Sequence, residues 1–151
     1  MKTRMYVLVN SYMMGIQAGI QAAHAAANLV GHYGFDYADR YDDRYNLVDQ
    51  WQGKDQTMIL LNGGYQSKML NFAEEFLTPN IDKIPYTYFC EESASLNGAL
   101  TAIAFILPQH MWDVKLVDGR CPLFSDVGDH KYTQKEMDFI EAFKSFKLKQ
   151  G

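Results

Sequence analysis

Residues 13–30, MMGIQAGIQAAHAAANLV, decide how the rest of the chain is read. At about 100° per residue of α-helix, Gln17, Gln21, His24 and Asn28 fall within an arc of roughly 60°. Spacings of four, three and four stack these side chains one above the next. Almost everything else in the stretch is Ala, Gly, Ile, Leu or Val. Small side chains let a helix lie close against a sheet, and an apolar surround sets the polar stripe apart from ordinary solvated surface. The stripe is either a buried hydrogen-bond network or the wall of a site. A histidine among alanines is more often a core residue with a satisfied hydrogen bond than a catalyst.

Working outward, Met5 to Asn10 is a short, nearly continuous apolar run that suits a central strand covered on both faces. Ser11 to Gly15 turns that strand into the helix, and a strand end feeding a helix start is a common ligand position in α/β proteins. Gly31 and Gly34 are expected to end the helix, with His32 as a turn residue. Phe35 to Trp51 then reads as a second helix. Tyr37, Tyr41 and Tyr45 recur every four residues and lead to Val48, with Leu47 and Trp51 beside them. Aromatic rings can stack on bases, but such a stripe is more often a buried face. Asp36, Arg40 and Asp43 are spaced as ion pairs on a solvated face.

Gly53-Lys54-Asp55 is expected to break this helix before a second strand at Thr57 to Leu61, and Asn62-Gly63-Gly64 to turn the chain. Those glycines lack the spacing of a phosphate-binding loop. Ser67 to Leu77 is an amphipathic helix stopped by Thr78-Pro79-Asn80, with Met69, Leu70, Phe72, Ala73 and Phe76 inward. Pro85 to Cys90 is a third strand and Thr101 to Leu107 a fourth. Gly119, Pro122 and Gly128 mark a loop region. Thr133-Gln134-Lys135-Glu136 is a capping box opening a last helix. That helix is expected to bury Met137, Ile140, Phe143 and Phe146, and to carry Lys144, Lys147 and Lys149 in its last turns, where the macrodipole favours cations.

The stretch G-I-Q-A-G-I-Q-A-A-H-A-A resembles the first helix of the archaeal and eukaryotic type of peptidyl-tRNA hydrolase (peptidyl-tRNA hydrolase 2). That family's pattern runs roughly M-G-K-G-K-I-A-A-Q-x-x-H-A directly after a strand. Asn46 to Leu61 resembles its Trp-containing segment before the second strand. Pro85 to Glu92 resembles its P-x-x-L-V-x-D-A-G strand, and Thr101-Ala-Ile-Ala-Phe its T-x-L-x-I strand. The resemblance spans about Met5 to Pro108. It implies a three-layer α/β/α domain over residues 1–108 with a mixed four-stranded sheet, followed by a C-terminal helical extension, residues 109–151, packed on the same domain.

The resemblance also implies a site. Gln21 and His24 match the family's Gln and His, while Gln17 stands where the family has a functional lysine. Glu91 stands where it has an aspartate, and Ser95 for the threonine of its R-T-Q, although Ala94 and Leu96 differ from that threonine's neighbours. The implied activity is hydrolysis of the ester between a peptide and the tRNA 3′ ribose, or of another small ester. His24 would be base or proton shuttle. Gln17 offers an amide dipole where a lysine would offer full charge. The alternative is a catalytically inactive binding or assembly module of the same fold. Family resemblance implies a homodimer.

Composition narrows the partners. The chain has 151 residues and a formal net charge of −4, which argues against gripping nucleic acid through bulk positive charge. No cofactor motif is visible. His24, His32, His110 and His130 show no HExxH or paired metal-ligand spacing. No run approaches the length of a transmembrane span, so no membrane association is expected. Met-Lys-Thr-Arg runs straight into a strand pattern without the features of a signal peptide, so the cytoplasm is the expected location. Cys90 and Cys121 make no CxxC and are expected to be free thiols.

Overall fold

The computed structural model describes residues 2–34, 42–91 and 98–150. Four strands form one mixed sheet in the order β2-β1-β4-β3. These are β1 (Thr3–Asn10), β2 (Met58–Gly64), β3 (Tyr86–Cys90) and β4 (Leu100–Pro108). β1 runs parallel to β2 and antiparallel to β4, which is antiparallel to β3. Helices α1 (Ile16–Gly34) and α2 (Asp43–Gln50) cover one face, and α3 (Gln66–Phe72) and α5 (Gln134–Phe143) the other. The short α4 (Gln109–Trp112) follows β4 directly. The expected three-layer α/β/α architecture with a mixed four-stranded sheet is what the chain adopts.

The two central strands show each layer a different set of side chains. Towards α1, β4 presents Ala102, Ala104 and Ile106, and β1 presents Met5, Val7 and Val9. Ala18, Ala22, Ala25 and Ala26 of α1 meet them, all buried. Alanine against alanine lets the helix sit close to the sheet, which fixes how its neighbouring side chains emerge at the sheet edge. The opposite face is aromatic. Tyr6 of β1 and Phe105 of β4 join Phe72, Phe139 and Phe143, with the Tyr6 and Phe143 rings 4.6 Å apart and edge-on. Aromatic pairs of this kind add about 0.5–1.5 kcal/mol beyond their burial.

Several local expectations shift. α1 continues through Gly31 and His32, so His32 is helical, its ring edge-on to Tyr33. Gly53-Lys54-Asp55 does not break the second helix. Residues Trp51–Asp55 form a wider π-type turn that ends where Gln56 takes a left-handed conformation (φ 53°). Val48 and Trp51 are buried as expected, while Tyr37, Tyr41, Asp36 and Arg40 lie outside the described residues. Asn62-Gly63-Gly64 belongs to β2. Gly63 is needed there, because a Cβ would stand 2.9 Å from Met69 Cγ and 3.1 Å from Leu8 Cβ.

The helix over 67–77 is α3 continued by a π-type turn, Ala73–Leu77, and a 3₁₀ turn, Thr78–Asn80. The capping box is present in full: Thr133 Oγ1 accepts from the Glu136 amide, and Glu136 accepts from the Thr133 amide. α5 ends at Phe143, so the three lysines follow it. Lys144 donates to the Trp112 carbonyl at 3.0 Å. Lys147 and Lys149 flank Leu148, which bridges antiparallel to Leu61 and lays the C-terminal tail along the free edge of β2. An edge strand with open N–H and C=O groups invites other chains, and a short added strand blocks that.

Candidate functional site

The polar stripe of α1 lies over β3 and the start of β4. Gln21 is its buried member, 3 % exposed. The Thr101 hydroxyl, fully buried, donates to Gln21 Oε1 at 2.7 Å and lies 3.3 Å from the Phe89 carbonyl. The Gln21 Nε2 donates in turn to Glu91 Oε2 at 2.8 Å. One amide therefore joins helix, central strand and the end of the edge strand. A buried amide at this depth needs such partners, because leaving one unsatisfied costs about 1–3 kcal/mol.

The rest of the stripe meets solvent. His24 is exposed on the next turn of α1, its ring 4.5 Å from that of Phe89 and tilted by 46°. Asn28, also exposed, donates to the Tyr88 carbonyl at 3.4 Å. Gln17 is exposed one turn before Gln21. The apolar surround is not sealed either: Ile16 is 79 % exposed and Ile20 is exposed beside it. The stripe is thus divided between a buried hinge at Gln21 and an open imidazole-amide face. On the other face of β3, away from α1, burial and the neighbouring Tyr86 push the Tyr88 phenol up to about 12.

The surroundings belong to one end of the sheet. At the carboxyl end of β1, Asn10 Nδ2 donates to the Leu100 carbonyl at 3.0 Å, and Asn10 Oδ1 accepts from the Tyr12 amide at 3.0 Å. The Gln66 side chain accepts from the Leu100 amide at 3.0 Å. Exposed Tyr12 and Tyr65 approach with ring centroids 5.2 Å apart. This is the sheet end at which α/β proteins usually place ligands.

Of the residues expected to form a site, the structure joins Gln21 to Glu91 directly and sets His24 and Gln17 on the same helix face. Ser95 lies outside the described residues. Thr101 and Phe89 are participants that sequence reasoning did not single out. Thr101 carried a signal, as a lone hydroxyl in the otherwise apolar run of β4; Phe89 carried none.

The arrangement offers an accessible imidazole, neutral amides and a carboxylate already engaged by one amide. Among the described residues no group of three or more His, Cys, Asp or Glu side chains could hold a metal ion. No family model matches this chain, and no curated protein matches it.

Proposed function

We propose that the outer face of α1 is the site of a peptidyl-tRNA hydrolase-like esterase, weak or retargeted to another small ester. The observation that supports this reading is the exposed His24 imidazole held against Phe89, one turn from the Gln21–Glu91–Thr101 network, of which Gln21 and Thr101 are buried. In the reaction a water oxygen bonds to the ester carbonyl carbon while the imidazole takes the water's proton. The carbonyl oxygen becomes an oxyanion that the Gln17 amide can stabilise. Collapse breaks the carbon–oxygen bond to the ribose, and the proton passes to the departing 3′ oxygen. General-base assistance of this kind is worth about 10² to 10⁴ in rate. Gln17 supplies a dipole and no net charge, which weakens both oxyanion stabilisation and the hold on a phosphate. The reading carries with it a cytoplasmic location and a homodimer, the second open to equilibrium sedimentation.

A second reading has its own support. Glu91 Oε2 is taken up by Gln21, so the carboxylate works first as a structural acceptor. With Gln17 in place of a lysine, this favours a non-catalytic module of the same fold that binds its ligand through the exposed face.

Release of peptide from peptidyl-tRNA by the purified protein separates the two. Under the esterase reading wild type releases peptide, His24→Ala abolishes release with an unchanged melting temperature, and Gln17→Lys accelerates it. No release by wild type but release by Gln17→Lys assigns a fold that has lost the activity. No release by either, on peptidyl-tRNA or on simple N-acyl amino acid esters, sinks the esterase reading.

A further inference from the structure

A cavity of about 410 Å³ opens at the other end of the sheet, where Thr3 begins β1 and Pro108 ends β4. It lies away from the Gln21 network and rests on none of the reasoning about α1. Its size falls within the ordinary range for small-molecule sites. Residues from distant parts of the chain converge on it: Asp43 on α2, Lys83 before β3, His110 on α4, His130 in the following loop and Glu136 on α5.

The polar side is a connected cluster. The His110 and His130 rings stack with centroids 4.0 Å apart. His130 Nε2 lies 3.3 Å from Glu136 Oε2, and Lys83 Nζ donates to Glu136 Oε1 at 3.3 Å. Glu136 is only 2 % exposed and also accepts from the Thr133 amide at 3.0 Å. Burial alone would raise its pKa, but the Thr133 amide and Lys83 outweigh that and hold the carboxyl below its usual range. Burial, and then His130, push His110 down to about 4, so that ring is neutral near pH 7. Leu47 and Met111 supply an apolar wall.

The fixed charges do not balance. Lys83 is matched by Glu136, whereas the exposed Asp43 has no ion-pair partner among the described residues. Two carboxylates against one ammonium, with an apolar wall and a neutral imidazole, suit an organic cation. We propose that this cavity binds a small primary amine with an apolar body, its ammonium on Asp43 and its body against Leu47 and Met111.

Three probes that share one ring and differ only in the head group test this: 2-phenylethylamine, 2-phenylethanol and phenylacetate. Binding is read from the imidazole NMR resonances of His110 and His130 and the Met111 methyl signal. The amine is expected to bind roughly fivefold or more tighter than the alcohol, the size of one exposed ion pair, and phenylacetate more weakly still. Asp43→Asn should bring amine and alcohol level, and Lys83→Gln should leave the preference for the amine intact. Both substitutions are at exposed positions, and the Trp51 indole resonance reports whether the fold is kept. Phenylacetate binding best, an amine preference that survives Asp43→Asn, or no probe shifting these signals by 10 mM would each overturn the proposal. So would zinc moving both imidazole signals where the amine does not.

Discussion

The Thr101 hydroxyl donates to the Gln21 side-chain carbonyl at 2.7 Å, across the join between α1 and β4 and with both residues buried. The bond ties the helix bearing the candidate site to a central strand. Gln21→Leu removes the best acceptor of a hydroxyl with no access to water, and should destabilise the fold by about 1–3 kcal/mol. Thr101→Val should cost a similar amount, because it strands the amide carbonyl. Removing both partners leaves fewer unsatisfied groups, so the double variant should be more stable than the two single losses predict. Urea denaturation of the four proteins gives the coupling directly; additive losses would contradict it.

Acid should weaken the fold through His110. Burial, and then His130, hold its folded pKa at about 4, below the 6.5 of an ordinary histidine, so the unfolded chain binds the proton more readily. The folded state therefore holds its full advantage above about 6.5 and loses it as pH falls towards 4. Since the ring is only partly buried, solvent screening limits the effect to about 1–2 kcal/mol. Urea melts from pH 7 to pH 4 should show a shallower decline for His110→Gln than for wild type; parallel curves would remove His110 as the cause.

The two thiols should differ sharply. Cys90 is exposed at the end of β3, whereas Cys121 is buried and pushed up to about 11 by burial and by Glu141. Only a thiolate reacts with an alkylating reagent at a useful rate. Iodoacetamide at neutral pH should label Cys90 within minutes and reach Cys121 only on unfolding, as mass spectrometry of the digested protein would reveal. Equal labelling would show that the Cys121 region opens readily.

Removing residues 147–151 should expose the edge of β2. The tail contributes Asn62 N–H to Lys147 carbonyl at 2.8 Å and Lys149 N–H to Leu60 carbonyl at 2.9 Å. Losing both should cost about 1–3 kcal/mol and leave an open strand that pairs between molecules. Light scattering is expected to show concentration-dependent association of the truncated chain. A monodisperse truncated protein of unchanged stability would mean the tail guards nothing.

Much of the fold was legible because its elements announce themselves locally. The apolar run at β1, the alanine-rich α1 and the Thr133–Glu136 box each depend on residues within a few positions of one another. The site was only half legible. Periodicity put Gln17, Gln21, His24 and Asn28 on one face but could not say that the sheet edge would bury Gln21 and leave the others open. Gln21's partners lie 70 and 80 residues away in the chain, and helical spacing carries no record of them. At Gly53 the local rule pointed the wrong way, since an exposed glycine weakens a helix without ending it. The cavity cluster was hidden for the same reason as the Gln21 partners. His110, His130 and Glu136 meet only after the chain from α4 to α5 folds back beneath the sheet.

The pairing of β1 with β4 governs how the protein can be made. β1 has its place inside the sheet, yet its antiparallel neighbour begins only at Leu100. Until then Met5, Val7 and Leu8 have β2 and the helices that precede β4 for cover but an open edge on the other side, and one face lacks the aromatic residues of α5. A nascent chain must shelter that edge of β1 for as long as β4 is unmade, which makes this intermediate the stage most exposed to chaperones and to misassociation.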